Sequence, residues 1–392
     1  MSRRMVLDAV VAGGGVVGAA CALALAGEGL EVALVEAALA PSWTPTPPDL
    51  RVFAFAADNA RLFEGLGVWQ DIVSARAQPY RRMRVWDAAG GGELAFDADA
   101  YGRRELGWIV ENTLLQDRLW AALPRAGVRL HCPARVEALE QDEAGVRLRL
   151  DDGGWLQARI AVAADGARST LRELAGIGTA SRDYGQRGVV GYVAGERPHE
   201  DTAWQRFLPG GPLAVLPFAD GSCSIVWSLP ADEAARVLAL DDAAFGHELT
   251  RAFDRRLGAM TPVSPRAAFP LRRQLASDYA HGRVLVLGDA AHVVHPLAGQ
   301  GVNLGLRDVA ALAALVGDAR SRGGDWASPA RLRRWARTRR SEAAVAAHAF
   351  EAIHDVYTSD NVAAALLRGP LLGLAGRLPP VTHGLWRRAS GL

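Results

Sequence analysis

The chain has 392 residues, half of them apolar, with 44 Lys and Arg against 43 Asp and Glu and a formal net charge of +1. That length favours two or more domains around a sizeable core. Nothing in the charge balance suggests the electrostatic footprint of a nucleic-acid-binding protein.

Residues 10–18 read Val-Val-Ala-Gly-Gly-Gly-Val-Val-Gly, and an apolar helix-like run leads from them to Leu34-Val-Glu36. This is a strand, a glycine turn, a helix and a second strand ending in an acid. Gly13, Gly15 and Gly18 fit G-x-G-x-x-G: a tight turn, close approach of backbone to a pyrophosphate, and close helix–sheet packing. The helix start then offers free N–H groups to phosphates. Glu36 stands where a carboxylate holds ribose hydroxyls and repels a 2′-phosphate. The segment predicts dinucleotide binding.

Residues 41–48, rich in proline, form a loop. Helices are expected at 57–66 and 113–123. Strands are expected at Val128–His131, Arg135–Leu139, Val146–Leu150 and Leu156–Ala163, then a turn and short helix at 165–175. From about 181 to 280 the texture changes to short β-like runs: Gly188–Ala194, Trp204–Leu208, Leu213–Pro217, Ser222–Leu229 and Ala267–Gln274. Helical patterns at 231–240 and 243–257 interrupt them. Arg283–Leu287 returns as a buried parallel-type strand, a long helix covers 301–316, and more helices fill 329–357. There Arg331, Arg333, Arg334, Arg337, Arg339 and Arg340 decorate a solvated helix face or, on a sharper reading, meet anionic lipid.

The fold class is α/β (α+β overall). A Rossmann-like nucleotide-binding domain is expected, discontinuous over 1–75, 106–180 and 281–330. An inserted antiparallel or mixed β-sheet substrate domain covers 76–105 and 181–280, and a helical C-terminal region covers 331–392. The cysteines Cys21, Cys132 and Cys223 lie far apart with no C-x-x-C pair. This argues against a disulfide framework or a metal site and fits a reducing cytosol. A nucleotide-binding strand begins almost at once, and no uncharged apolar run of about 18 residues occurs. The expected location is cytoplasmic, soluble or peripheral on a membrane.

Two further motifs each end a hydrophobic strand: Asp165-Gly166 within 163–172, and Gly288-Asp289 within 286–303. Ligands bind at the carboxyl ends of parallel strands. Asp289 suits sugar or ribityl hydroxyls. Pro296, Gly299 and Gly301 precede a helix, so backbone N–H groups and a helix dipole point at a ligand that gains negative charge. His292 and His295 read as packed or hydrogen-bonded loop residues, not as a general base or metal ligands.

The three motifs, in this order and spacing, resemble the single-component, FAD-dependent aromatic monooxygenases typified by para-hydroxybenzoate hydroxylase, over essentially the whole chain. Within that group the chain looks most like the hydroxylases of ubiquinone biosynthesis. The segments carrying that likeness are 51–55, 60–69, 107–116, 205–214, Leu216-Pro217 and 224–228. Asp58-Asn59 departs from the small hydroxyl residues often found there.

The resemblance implies that FAD is held by Gly13, Gly15, Val16, Val17 and Gly18, with Glu36 on the adenosine ribose and Val136 near adenine. Arg51 contacts the cofactor, and Asn112 or Gln116 reaches ribityl or phosphate oxygens. Gly288 and Asp289 hold ribityl hydroxyls. Gly301, Val302 and Asn303 turn backbone to the flavin pyrimidine edge. Asp165 and Arg168 belong to a motif linked to FAD and the nicotinamide donor, although Arg168 reads equally as an ordinary salt bridge. Pro296, Gly299, Gln300 and Gly301 form the flavin-side catalytic loop, with no acid or base assigned. The implied cycle takes a hydride from NADH or NADPH, reacts with O2 through a flavin hydroperoxide, and hydroxylates the ring of a prenylated phenol or quinol. Water must be excluded.

Phe207, Leu216, Phe218 and Trp227 would line an apolar substrate channel, or else form plain sheet core. The stretch Ala363–Leu385, with Arg368 and Arg377, would dock on a bilayer or a partner protein, or pack on the FAD domain; oligomeric state stays open. Alternatives are a same-fold FAD oxidoreductase or monooxygenase acting on another aromatic compound, and a non-catalytic lipid-binding scaffold. A flavin halogenase lacks its Trp-x-Trp-x-Ile-Pro segment here.

Overall fold

The computed structural model describes residues 6–90, 92–294, 300–358 and 384. In chain order its first elements are β1 (Leu7–Ala12), α1 (Val16–Gly27), β2 (Val32–Val35), β3 (Val52–Ala56), α2 (Ala57–Gly65) and α3 (Trp69–Arg76). They are followed by β4 (Ala77–Tyr80), β5 (Arg82–Asp87), β6 (Glu93–Asp97), β7 (Gly107–Glu111), α4 (Asn112–Ala122), β8 (Arg129–His131), β9 (Val136–Gln141), β10 (Val146–Leu150) and β11 (Trp155–Ala163). Next come α5 (Thr170–Leu174), β12 (Thr179–Gly195), β13 (Thr202–Leu208), β14 (Gly211–Pro217), β15 (Cys223–Pro230), α6 (Ala231–Leu238) and α7 (Asp242–Ala252). The last are β16 (Met260–Pro262), β17 (Ala267–Ala276), β18 (Ala280–His281), β19 (Val284–Val286), β20 (His292–Val293), α8 (Gln300–Ser321) and α9 (Pro329–Thr358).

Among the described residues these strands make three sheets. The first runs β18-β19-β11-β1-β2-β8, with the β9–β10 hairpin attached to β11. Its centre is parallel: Val10 pairs with Ala161 and Ala33, and Val162 with Leu285. These strands are buried and unbroken runs of Val, Ala and Leu, as a sheet covered on both faces requires. Helix α1 packs on α4 and α8, and this layer forms the main core.

The second sheet runs β20-β17-β12-β15-β14-β13-β5-β6. Alternate residues on it point to opposite faces. Val189, Val193, Leu213, Val215, Ile225 and Trp227 share a core with Phe245, Leu249 and Phe253 of the α6–α7 layer. The other face looks back towards the first sheet. A small sheet, β3-β7-β4, stands at that junction.

Strand β12 begins well before the expected Gly188. Its first half, Thr-Ala-Ser-Arg-Asp-Tyr, is largely exposed and lacks apolar alternation, and it pairs with β17 around an irregularity at Asp183/Gln186. Helix α7 ends at Ala252 instead of 257, because Asp254 and Arg255 adopt φ of 59° and 54°. The helices expected over 329–357 are one continuous α9. Its arginines are not all solvated: Arg339 is buried and ion-paired, whereas Arg333, Arg334, Arg337 and Arg340 are exposed.

Candidate functional site

The site gathers where β1, β2, β11 and β19 end. The turn after β1 carries the glycines, and each meets a different constraint. Gly13 has φ of 102°, and a Cβ there would lie 2.4 Å from the Ala164 carbonyl oxygen. A Cβ on Gly18 would meet the Gly13 carbonyl oxygen at 1.9 Å. Both glycines are therefore required by the chain itself. Gly15 is different: its nearest neighbour would be Gln116 Nε2 at 3.9 Å, so the space in front of it is open. Gly15 also caps α1, without a side-chain cap and with no acid in the first turn. Free N–H groups and the positive end of the helix thus face an open cradle, which fits an anionic pyrophosphate.

Glu36 closes one side of that cradle. Its Oε2 accepts from Gly14 N (2.5 Å) and its Oε1 from Ala38 N (2.7 Å). Each oxygen keeps a further lone pair for ligand hydroxyls. Ala134 N donates to the Glu36 carbonyl, which brings the segment leading to Val136 alongside the end of β2. Trp120 was not signalled by any motif. Its indole donates to Gly14 O at 2.7 Å and fills the space that a Gly14 side chain would need.

Gln116 and Asn112 connect the cradle to the second part of the site. Asn112 Nδ2 donates to Gln116 Oε1 (3.2 Å), and Asn112 N donates to Arg51 O (2.9 Å). On the opposite side Val17 packs against Gly288 and Gly305, where Cβ atoms would approach it to 3.0 and 2.7 Å. Gly288 has φ of 58° and turns the chain so that Asp289 enters a cavity.

That cavity is about 920 Å³ and lies between the two large sheets. Arg51, Asp289, Gly301, Val302 and Asn303 line one end. Asp289 has no hydrogen-bond or ion-pair partner among the described residues, and Arg51, Arg168 and Arg272, which also line the cavity, form no ion pair there. The expected salt bridge of Arg168 is therefore not formed with any described residue. Helix α8 starts at Gln300 with no acid in its first turn. Asn303, 1% exposed, does more than present backbone: its side chain accepts from Ala56 N (3.0 Å) and Asn59 Nδ2 (2.8 Å) and donates to Ala54 O (2.8 Å). Asp58 pairs with Arg307 Nε at 2.6 Å. The unusual Asp58-Asn59 pair thus bolts α2 to α8. Pro296 and Gly299, with His295, lie outside the described residues, as do the side chain of Gln300 and the stretch 363–385 apart from Gly384.

Three expected lining residues do not reach the cavity. Trp227 faces the α6–α7 layer beside Phe245. Phe218 packs on Tyr192 and under the Arg76 guanidinium. Phe207 joins Val85, Leu94 and Phe96 in a separate core. Of the four, Leu216 lines the cavity. On β14 and β15 the two-residue period places Leu216 and Val226 on one face and Val215 and Trp227 on the other, whereas Phe207 and Phe218 share the parity of Gln205 and Leu216 and are taken up by neighbouring side-chain clusters beside the cavity. Asp165 is also turned from the cavity. Its carboxylate accepts from Ser169 Oγ and from Leu171 N (3.1 Å), and burial raises it above the usual carboxylate range. Buried Arg172 donates to Ala167 O and Ala290 O, tying the 165–172 turn to the Gly288-Asp289 turn.

Behind Asp289 sits a buried ion network. His292 Nε2 meets Asp308 Oδ2 at 2.6 Å, and Arg339 Nε meets Asp308 Oδ1 at 2.7 Å. Gly288 N also donates to Asp308 (3.2 Å). Burial alone would raise the Asp308 carboxyl, but the charges and hydrogen bonds of His292 and Arg339 outweigh it and hold the carboxyl below its ordinary value. His292, 1% exposed, is a structural histidine, as the sequence reading preferred. Asp308 carried one signal in the sequence, an acid followed by the apolar run Val309–Val316. No His/Cys/Asp/Glu cluster suited to a metal occurs among the described residues.

Comparison with known proteins agrees with this geometry. The family model described as FAD binding domain matches residues 6–349. The chain is 40% identical over 333 residues to 3-demethoxyubiquinol 3-hydroxylase of Escherichia coli (strain K12), covering 84% of each. It is 37% identical over 392 residues to ubiquinone hydroxylase UbiL of Rhodospirillum rubrum, covering 100% of this chain and 91% of the relative. The crystal structure of p-nitrophenol 4-monooxygenase PnpA from Pseudomonas putida DLL-E4 superposes with a TM-score of 0.78 at 21% identity, covering 98% of this chain and 97% of that one. The last likeness shows the fold alone.

Proposed function

The chain belongs to the FAD binding domain family and, within it, to the FAD-dependent hydroxylases of ubiquinone biosynthesis, and on that premise we propose that it hydroxylates the aromatic ring of a polyprenylated phenol or quinol. O2 is the oxygen source and NADH or NADPH the reductant. The observation that carries this reading is the 920 Å³ cavity, which runs from the Asp289 and Gly301–Asn303 end onto a largely apolar sheet face.

FAD fits the residues on the other side of that end. Gly15 and the start of α1 would take the pyrophosphate, Glu36 the adenosine ribose and the segment at Val136 the adenine. Arg51, Asn112 and Gln116 would take phosphate or ribityl oxygens, and Asp289 a ribityl hydroxyl. When bound, the flavin accepts the hydride and activates oxygen. The protein's own groups bind, orient and shield. The N–H groups at the start of α8 and the Gly301–Asn303 backbone would hold the pyrimidine side of the flavin and would favour negative charge there. The apolar lining keeps water out. No described histidine lines the cavity, and burial pushes the Tyr80 phenol up to about 12, so Tyr80 stays neutral near pH 7.

A polyprenylated substrate partitions into bilayers, so its delivery calls for contact with a membrane surface or with another protein of the same route. The exposed Arg333, Arg334, Arg337 and Arg340 on α9 offer a basic face for such contact. No helix among the described residues is long and apolar enough to cross a membrane.

Gene deletion followed by mass spectrometry of the accumulated quinone precursors tests the reading. An intermediate lacking one ring hydroxyl is expected. An unchanged quinone pool would overturn it.

A further inference from the structure

One row of side chains crosses the second sheet on its cavity face. Gln205 pairs with Val85 on one side and Ala214 on the other; Ala214 pairs with Val226, Val226 with Val190, and Val190 with Ala267. Directly paired residues share a face. From Gln205 to Ala267 every member of the row lines the cavity, and Gln205 alone among them is polar.

Gln205 is 7% exposed, and its amide has no hydrogen-bond partner among the described residues. Two other buried glutamines on the same sheet behave differently. Gln186 donates to Gly210 O at 2.9 Å and Gln274 to Ala167 O at 2.7 Å. The residue is buried as a whole, but its amide atoms are not shut off from the cavity, so they stand free to meet a polar group of a ligand there.

We infer that the Gln205 side chain hydrogen-bonds a ring oxygen of the substrate and so fixes which way the aromatic ring faces in the cavity. This rests on the reading of the substrate as a prenylated phenol or quinol. An amide both donates and accepts, so it suits a hydroxyl, a phenolate or a quinone carbonyl alike. A site that keeps such a group dry discriminates against analogues lacking the oxygen, because the amide is then left unpaired. Gln205 is a specificity residue in this scheme and moves no proton.

The test uses the FAD-loaded protein and two probes, 2-geranylphenol and geranylbenzene, titrated by the change in flavin absorbance. Wild type is expected to bind the phenol about tenfold or more tightly than the hydrocarbon, the size of one hydrogen bond. Gln205→Leu and Gln205→Met, which differ in shape, should each lose about tenfold for the phenol and leave geranylbenzene within about twofold. FAD content should stay unchanged, and the melting temperature unchanged or raised, because an unpaired amide has been removed. Equal weakening of both probes, an intact preference for the phenol, or loss of FAD or fold in both variants would overturn the inference. Wild type that binds neither probe would instead sink the prenylated-phenol reading, and this inference with it.

Discussion

The two large sheets present their ligand-facing groups in opposite ways. The parallel sheet works through strand ends: Gly13–Gly15, Glu36 and Gly288-Asp289 each follow a buried strand, and much of what they offer is backbone. The second sheet works through a face, where Gln205, Ala214, Leu216, Val226 and Val190 depend on strand register for their orientation. In the first arrangement Gly13 and Gly18 admit no side chain, while Gly15 borders open space. The second is a surface of small apolar side chains, and its contents set the size and polarity of the cavity. Cofactor binding and substrate choice should therefore be separable by mutation.

The largest separation is expected at the glycines. Gly15→Val should lower FAD affinity by about a hundredfold or more while the protein stays folded, because the added methyls occupy ligand space and not protein space. Gly18→Val should damage the fold itself, since its Cβ would meet backbone at 1.9 Å. Circular dichroism with flavin absorbance distinguishes the two. If both variants lost FAD and structure together, the distinction between cradle and scaffold would fail.

Next in size are the buried groups behind each sheet. Trp227→Ala should cost about 3–5 kcal/mol of stability in a denaturant titration, because the indole is core and not cavity wall. Asp308→Asn should cost a similar amount, about 3–5 kcal/mol, by taking the buried carboxylate from both His292 and Arg339 and leaving Arg339 only the more exposed Glu342 as counter-ion. Its pH dependence has a definite sign. The folded protein holds the Asp308 carboxyl lower than the unfolded chain does. The stability this provides is present above the unfolded value of about 4 and is lost as pH falls through the lower folded value. Wild type should accordingly lose more stability than Asp308→Asn on acidification below about pH 4. A shallower loss in wild type would contradict the assignment.

Smaller effects sharpen the contrast further. Asn303→Ala strands Ala56 N and Ala54 O at the junction, and should cost about 1–3 kcal/mol and weaken FAD retention together. Leu216→Trp should fill part of the cavity, weakening aromatic ligands by about tenfold with stability changed by about 1 kcal/mol or less. Unimpaired ligand binding in Leu216→Trp would place the ligand elsewhere.

The same contrast explains what could be read from sequence. The glycine turn, Glu36 and Asp289 were legible because each is a local pattern whose chemistry follows from its neighbours in the chain. Trp227 falls on the far face because one residue of phase decides the face of a strand and pairing partners far along the chain decide that phase, whereas Phe207 and Phe218 are drawn into side-chain clusters with residues distant in sequence. Gln205 was visible only as a letter in a resembling segment; its burial and lack of a partner exist only once β13 is paired with β14 and β5. Trp120 and Asp308 escaped notice, and Asn59 stood out only as a departure, for a related reason, since each acts on a segment distant in sequence. Helix α9 was read as solvated along its arginines because nothing local distinguishes Arg339, whose partner Asp308 lies on α8.

The central claim is that one FAD molecule spans the two helix starts, α1 and α8. A crystal structure of the FAD-loaded protein tests it most directly. The account predicts pyrophosphate oxygens within hydrogen-bonding distance of the backbone N–H groups at the start of α1, and the flavin pyrimidine edge against Gly301–Asn303. A flavin bound elsewhere, or with its ring away from α8, would contradict it.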